Sequence, residues 1–435
     1  IMQSNGGMIS ARSARREAVR TILSGPAGGV VGAFASAQAA ALKRAITFDM
    51  GGTSTDVALC DGSIPILSGA EVGGYPIGVP MIGIHSVGAG GGSIAWIDRG
   101  GGLRVGPASA GADPGPICYG RGGNRITVTD ANLFLRRMDP TRFLGGRLRL
   151  RPERVRGPLV AMGRRLGLSP EALAEGVVRV ANAVMEKAIR VISIERGFDP
   201  RDFVLVSFGG AGGMHALDLA RALSIPRVLI PRHPGVLSAL GLVHCDVRKE
   251  LTQSFLSPVT AADFGELRKR FERLLRSGAV AMTGEGISAR RVRADCVADL
   301  RYVGQSYELA VPFDRHFLDR FHQLHRRRYG HSDRKAPVEL VNLRVRWVGR
   351  VDRPPILRPD GPASPRRGAA PFARWPMIFE GRARRGRGYL RPDLPPGFSF
   401  RGPAVVLEEH ATTVVTPDAS ARVDRMGNLF LEWSR

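Results

Sequence analysis

The most constraining feature of this chain is a short segment in which two apolar runs are joined by a polar, glycine-rich turn. Residues 45–48 are mostly apolar, and residues 57–59 restart an apolar run after the sequence Asp-Met-Gly-Gly-Thr-Ser-Thr-Asp. Gly51 and Gly52 tolerate backbone angles that other residues disfavour, so the chain can reverse direction between the two runs. The segment therefore predicts a β-hairpin with a glycine tip.

The residues around this tip have the chemistry of a phosphate site. Backbone N–H groups in a tight turn can face an anion. Thr53 and Ser54 add hydroxyl donors, while Asp49 and Asp56 offer carboxylate oxygens suited to Mg²⁺ or to orienting a water. An isolated motif of this kind is also compatible with an ordinary hairpin that has a polar tip.

A second glycine cluster strengthens the phosphate interpretation. Residues 208–215 read Phe-Gly-Gly-Ala-Gly-Gly-Met-His, follow an apolar run at 203–207, and open onto a segment with helical apolar spacing. A strand, a glycine loop and a helix N-terminus together form a cradle for an anion or nucleotide. The two elements, in this order, resemble the nucleotide-binding core shared by actin, sugar kinases and Hsp70-type ATPases.

Five ordered motifs narrow this resemblance to one family. They occupy residues 24–30, 48–56, 88–93, 112–116 and 208–215. Together they are similar to the hydantoinase A and 5-oxoprolinase family, whose relatives include N-methylhydantoinase A and the acetone carboxylase β-subunit. Further similarity at 301–309 and 421–429 extends the resemblance over essentially the whole chain.

The resemblance implies an α/β fold with an actin-like (ribonuclease H-like) ATPase lobe, followed by an α+β C-terminal region. We assign residues 1–247 to a hydantoinase A type nucleotide-binding and catalytic domain. We expect this domain to be truncated at its N-terminus, because the family's first Asp-x-Gly-Gly-Thr loop is missing. Residues 248–351 are expected to form the α+β domain, residues 352–398 a Pro/Arg-rich linker or surface loop, and residues 399–435 a β-rich segment that packs on the body.

The activity that the resemblance implies is ATP-dependent hydrolysis of a cyclic amide, such as a hydantoin, N-methylhydantoin or 5-oxoproline. Phosphorylation of the amide oxygen would create the leaving group that a resonance-stabilised amide lacks. Two alternatives remain open: the ATP-using subunit of an acetone- or acetophenone-type ketone carboxylase, and a nucleotide-binding fragment without catalysis. The family also implies a companion subunit of the hydantoinase B type, so we expect an oligomeric complex.

ATP and Mg²⁺ are the cofactors implied for the two glycine turns. Asp49 and Asp56 are the candidates for catalysis and for holding Mg²⁺, and His215 is a third catalytic candidate that could equally cap or pack at a helix N-terminus. The residues expected to contact the nucleotide are Gly51, Gly52, Thr53, Ser54, Gly209, Gly210, Gly212 and Gly213.

The glycine-rich stretch 83–123 is punctuated by large apolar residues, which favours ordered loops around a site. His85, Asp113 and Cys118 lie within it and have the atoms that a transition metal or a substrate could contact. Their spacing matches no standard zinc pattern. We regard them as a speculative metal site.

Composition narrows the remaining function classes. A formal charge of +24 suggests a nucleic-acid ligand, but the arginines are scattered and only 4 Trp and 6 Tyr are available for stacking, so we expect no nucleic-acid partner. No apolar run of about 18 residues indicates a membrane span, and we expect a cytoplasmic protein. The cysteines are widely spaced and should be reduced thiols: Cys60, Cys118, Cys245 and Cys296.

Overall fold

The computed structural model describes residues 1–67, 69–72, 74–352 and 369–433. These residues form two compact units. The small unit contains residues 1–22 and 245–352, and the large unit contains residues 23–244 and 369–433. This division differs from the expected domain at 1–247, because the first 22 residues join the central part of the chain.

Within the described residues, the α-helices are α1 (Ala11–Arg16), α2 (Ser24–Ala39), α3 (Val128–Phe134), α4 (Arg156–Leu166), α5 (Pro170–Ile192), α6 (Gly212–Ala222), α7 (Leu237–Val243), α8 (Phe264–Gly284) and α9 (Phe317–Tyr329). The strands of the same residues, up to the central part of the chain, are β1 (Arg44–Met50), β2 (Thr55–Asp61), β3 (Ile66–Leu67), β4 (Ala70–Val72), β5 (Tyr75–Ile77), β6 (Met81–Ile82), β7 (Ile84–Val87), β8 (Ser93–Ile97), β9 (Leu103–Ser109), β10 (Val204–Phe208) and β11 (Val228–Ile230). The remaining strands are β12 (Val247–Val259), β13 (Val292–Tyr302), β14 (Leu309–Pro312), β15 (Val338–Gly349), β16 (Ala373–Phe379), β17 (Arg382–Leu390), β18 (Ser399–Arg401), β19 (Ala404–Leu407), β20 (Thr412–Val415), β21 (Ala419–Val423) and β22 (Leu429–Trp433). No helix of the described ranges has the length and hydropathy needed to cross a bilayer.

The large unit is built on an eight-stranded mixed sheet. Its strand order is β18-β21-β22-β11-β10-β1-β2-β7, in which β1, β10 and β11 are parallel neighbours and the other pairs are antiparallel. Phe48 and Leu205, on the two central strands, are fully or almost fully buried. The mixed α/β fold expected from the sequence is therefore confirmed, while its actin-like character stays a prediction.

Helices cover both faces of this sheet. Phe208 is in register with Asp49, and its ring lies against Gly29 of α2. Phe48, which precedes Asp49 on β1, points to the opposite face, where its ring lies against Gly212 at the start of α6. Because both faces are covered, the central strands can be apolar throughout.

The C-terminal part of the large unit corrects the prediction of a linker at 352–398. Residues 353–368 lie outside the described residues, but β16 and β17 form a hairpin within a second sheet of order β16-β17-β19-β20. The run of arginines in β17 is compatible with a strand because Gly386 and Gly388 leave space for Met377 and Trp375 of β16. β18, β21 and β22 instead extend the eight-stranded sheet.

The small unit is an antiparallel sheet with two long helices. Its order is β12-β15-β13-β14, and Trp347 of β15 is buried against Gly278 of α8. Residues 1–22 are attached to this sheet by polar contacts: Gln3 donates from Nε2 to the carbonyl of Arg248 at 2.8 Å. These contacts explain why the N-terminal segment belongs here and not with the large unit.

Candidate functional site

The tip of the β1–β2 hairpin is a closed turn with outward-facing donors. The N–H of Gly51 donates to the carbonyl of Ser54 at 3.1 Å, which closes the turn. Gly52 and Thr53 are exposed, and their N–H groups have no acceptor among the described residues. The turn therefore presents free backbone donors of the kind that bind a phosphate oxygen.

The glycine-rich stretch that follows holds this turn in place. The N–H groups of Gly91 and Gly92 donate to the carbonyls of Gly51 and Gly52 at 3.0 and 2.6 Å. A side chain on Gly90 would begin only 2.7 Å from the Gly52 carbonyl carbon, so a glycine is needed there. Residues 90–92 thus pack against the turn and hold it in place, as expected of an ordered loop.

Two carboxylates lie beside the turn. Asp49 and Asp56 are opposite each other on β1 and β2, so their side chains share one face of the sheet. Burial, and secondarily the charge of Asp56, raise the pKa of Asp49 to about 7. Burial also raises the pKa of Asp56, opposed by a hydrogen bond from the hydroxyl of Ser86. A cation between these side chains would remove the cost of placing two acids together.

The second glycine cluster meets this pair because β1 and β10 are parallel neighbours. Gly209 has a φ of +79°, and a side chain at this position would collide with the Asp49 carboxylate and with the carbonyl of Met50. The N–H of Ala211 donates to that same carbonyl at 3.0 Å. Both glycine turns are therefore brought together at the carboxyl ends of adjacent parallel strands, where ligands of α/β sheets bind.

The four predicted glycines of the second cluster have different environments. Gly209 is partly exposed and Gly210 is exposed, whereas Gly212 and Gly213 are buried in the first turn of α6. A side chain on Gly213 would meet Thr413 Oγ1 at 2.5 Å. The structure thus gives Gly212 and Gly213 a packing role and leaves Gly209 and Gly210 at the surface of the site.

His215 lies inside the protein and not at the turn. Its side chain is fully buried, with Nδ1 at 2.7 Å from Asn182 Oδ1 and Nε2 at 3.4 Å from Asn132 Nδ2. Burial, and then the charge of Arg137, lower its pKa to about 3. Of the two interpretations of His215, the structure supports packing, and it contradicts a catalytic role that requires contact with a ligand.

His85, Asp113 and Cys118 do not form a metal centre. In the described part of the chain, no group of three or more His, Cys, Asp or Glu side chains is placed to hold a metal ion. His85 is on β7 in register with Val57, Asp113 is exposed in a loop, and Cys118 is buried. Burial and the nearby Asp130 raise the pKa of the Cys118 thiol, which disfavours the thiolate that a metal would need.

Sequence reasoning missed a second feature, a cavity of about 1030 Å³ in the large unit. Its wall includes Gly235, Arg391, Glu408 and His410. One signal was present in the sequence, because Glu408 directly follows the buried apolar strand 404–407. A charged residue at such a position is expected to have a partner or a function.

Comparison with known proteins identifies the family. The sequence model of the hydantoinase/oxoprolinase family matches residues 1–251. The chain belongs to the hydantoinase/oxoprolinase family. As a member of it, the chain is 37% identical to caprolactamase subunit alpha of Pseudomonas jessenii over 431 residues, covering 95% of this chain and 62% of that relative. It is 31% identical to 5-oxoprolinase 1 of Arabidopsis thaliana over 463 residues, covering 99% of this chain and 36% of that relative.

Two solved structures resemble this chain over its whole length. The ATP-dependent caprolactamase of Pseudomonas jessenii superposes with a TM-score of 0.83 at 33% identity, covering 100% of this chain and 65% of that one. A nucleotide-free acetone carboxylase gives a TM-score of 0.83 at 26% identity, covering 100% of this chain and 64% of that one. This chain therefore spans less than two thirds of the length of each of these relatives. The predicted family is confirmed.

Proposed function

We propose that this chain binds Mg-ATP at the two glycine turns and belongs to an ATP-dependent enzyme that hydrolyses a cyclic amide. The observation that carries the proposal is the half-buried Asp49–Asp56 pair, which lies beside a turn with free backbone donors and whose Asp49 carboxylate lies against Gly209. Relatives named as caprolactamase and 5-oxoprolinase support the substrate class. The actin-like character of the lobe forms part of the same proposal.

The residues at the turns fit an Mg-ATP complex. Mg²⁺ is commonly bound by one or two carboxylates together with substrate phosphates, and Asp49 and Asp56 supply such a pair on one face of the sheet. Burial, and secondarily the charge of Asp56, raise the pKa of Asp49, and a bound cation would oppose both effects. The unpartnered N–H groups of Gly52 and Thr53 complement phosphate oxygens.

Each group has a defined task in this proposal. Bound ATP would supply the phosphoryl group that turns the amide oxygen into a leaving group. Gly51, Gly52, Thr53 and Ser54 bind and orient the phosphates, and the two carboxylates hold Mg²⁺ and so neutralise charge. Gly209 and Gly210 let the backbone approach the nucleotide closely.

A second type of reaction also has support. The chain could instead act as a ketone carboxylase subunit, because the acetone carboxylase structure has the same TM-score, 0.83, as the caprolactamase. Since one relative is named a subunit alpha, we also propose a companion subunit of the hydantoinase B type.

The test is ATP turnover by the chain in its native complex, isolated by a tag on this subunit. Stimulation of phosphate release by a lactam supports the amidohydrolase, whereas stimulation only by a ketone with bicarbonate supports the carboxylase. Tight Mg-ATP binding without either stimulation would leave the non-catalytic nucleotide-binding interpretation.

A further inference from the structure

The large unit contains a cavity that the proposed phosphate site does not use. Its volume is about 1030 Å³, which is enough for a drug-sized ligand. Most of its wall comes from the connection after β11 at 232–236, the end of β17 and the turn after it at 390–394, and the end of β19 and the turn after it at 407–410. Residues at 141–146 and Gly427 complete the lining. The cavity therefore lies within one unit and combines the parallel sheet with the C-terminal strands.

Two charged side chains of this wall have polar atoms that find no hydrogen-bond partner among the described residues. Arg391 is only 7% exposed, and its Nη2 donates to the carbonyls of Gly427 at 2.6 Å and Ile230 at 3.4 Å. Its Nη1 is buried and, within the described residues, has no partner. The same holds for Oε1 of Glu408. One strong donor and one strong acceptor in the same wall thus lack a hydrogen-bond partner among the described residues.

Such an arrangement requires an explanation, because buried polar groups in proteins almost always have a partner. A guanidinium and a carboxylate that were only structural would be expected to bond each other directly, yet the structure has no hydrogen bond between Arg391 and Glu408 in its described part. The remaining partner then comes from outside the described residues. It is either a bound ligand or a trapped water.

We propose that the cavity binds a small molecule whose edge carries a hydrogen-bond acceptor beside an N–H group, with the acceptor facing Arg391 and the N–H facing Glu408. The amide edge of a lactam and the amidine edge of a purine both present this pattern. Apolar side chains of the wall, including Val236, Leu394 and Leu407, suit the ring that carries such an edge. That the ligand is one of these two molecules rests on the proposed function.

The position of the cavity is consistent with either ligand, a lactam or the purine of a nucleotide. Gly209, which contacts the Asp49 carboxylate, donates its N–H to the carbonyl of Pro234 at 3.1 Å. Gly235, which follows Pro234 in the chain, lines the cavity. β11 lies two strands away from β1, which places their ends about 10 Å apart. A nucleotide could span this distance, and a substrate in the cavity would lie close to the phosphates.

The test is calorimetric titration of the chain, in its complex where one exists, with two probes: 2-pyrrolidinone for the lactam and adenosine for the purine. We expect one of them to bind the wild-type protein, and we expect Glu408→Leu to weaken that binding at least tenfold. Glu195→Leu is the matched control, since Glu195 is exposed and is not part of the cavity wall, and it should bind as the wild type does.

A change in the ligand avoids any dependence on the folding of a variant. N-methyl-2-pyrrolidinone and N6,N6-dimethyladenosine lack the N–H, so each should bind the wild-type protein at least tenfold more weakly than its parent. The proposal is wrong if neither parent probe binds, if the methylated probes bind equally well, or if Glu408→Leu binds like the wild type. Those results would assign the two groups to a trapped water.

The test also separates this site from the phosphate site. Asp49→Asn should lose Mg-ATP binding while it retains binding of the successful probe. If the wild-type protein binds a probe but not Mg-ATP, the ligand proposed for the cavity is supported and the proposed function is wrong. If it binds Mg-ATP but neither probe, only the ligand proposed for the cavity is wrong.

Discussion

Asp49 and Asp56 face each other across the β1–β2 hairpin, and burial beside Asp56 raises the pKa of Asp49 to about 7. Two acids in register on adjacent strands repel each other, so this arrangement is unfavourable for folding alone. It becomes favourable once a cation binds. The relationship between these two residues is the reason for placing Mg-ATP at this end of the sheet.

If the carboxylate of Asp49 serves binding and not folding, its removal should not destabilise the protein. We expect Asp49→Asn to leave the free energy of unfolding at pH 8 unchanged or to increase it by about 1–3 kcal/mol, because the amide avoids the cost of a buried charge. Urea denaturation of both proteins measures this. A loss of more than about 2 kcal/mol would instead give Asp49 a structural role.

Gly209 should not tolerate a side chain. We expect Gly209→Ala to lose about 2–3 kcal/mol of stability, since its φ of +79° is left-handed and its new methyl group would collide with Asp49 and Met50. Gly52→Ala is the control, because nothing lies within 4 Å of a side chain at that position. Equal stabilities of the two variants in urea denaturation would contradict the observed packing.

His215 should make the protein sensitive to acid through its burial. Its folded pKa is about 3 against an ordinary value of 6.5, so below pH 6.5 the unfolded state binds a proton that the folded state does not. Stability present above pH 6.5 is therefore lost as the pH falls toward 3. Between pH 7.5 and 5 the wild type should lose about 2 kcal/mol more than His215→Gln. Urea denaturation at the two pH values tests this, and parallel losses would show that His215 is not buried in neutral form.

The small unit offers an independent test of its core. In Gly278→Ala the new methyl group would overlap the indole of Trp347, so we expect a loss of about 1–3 kcal/mol. Gly284→Ala, at the end of the same helix, meets nothing within 4 Å and should be neutral. Thermal denaturation of the two variants compares them directly, and a neutral Gly278→Ala would contradict the packing of α8 on β15.

The sequence predicts those parts of the structure that depend on local patterns. The alternation of apolar runs and glycines around residues 45–59 predicts the β1–β2 hairpin, and the glycines at 209–213 predict a strand, loop and helix. It does not predict which strands are neighbours, which requires long-range packing. For the same reason, residues 1–22 and the arginine-rich β17 were placed wrongly.

Burial was the other property that local patterns could not give. His215 follows a glycine loop and so resembles a ligand-contacting residue, but the turn of α6 directs it toward Asn132 and Asn182. Arg391 and Glu408 are 17 residues apart, and only the pairing of β17 with β19 brings their segments to one cavity. Their relationship could not have been read from the sequence.

The central claim is that Asp49 and the glycine turns bind Mg-ATP. Its most direct test is calorimetric titration of Mg-ATP into the wild-type protein, Asp49→Asn and the control Asp113→Asn, whose carboxylate is exposed in a loop. We predict that the wild type and Asp113→Asn bind with equal affinity, and that Asp49→Asn binds at least tenfold more weakly. Equal binding by Asp49→Asn, or no binding by the wild type, would contradict the account.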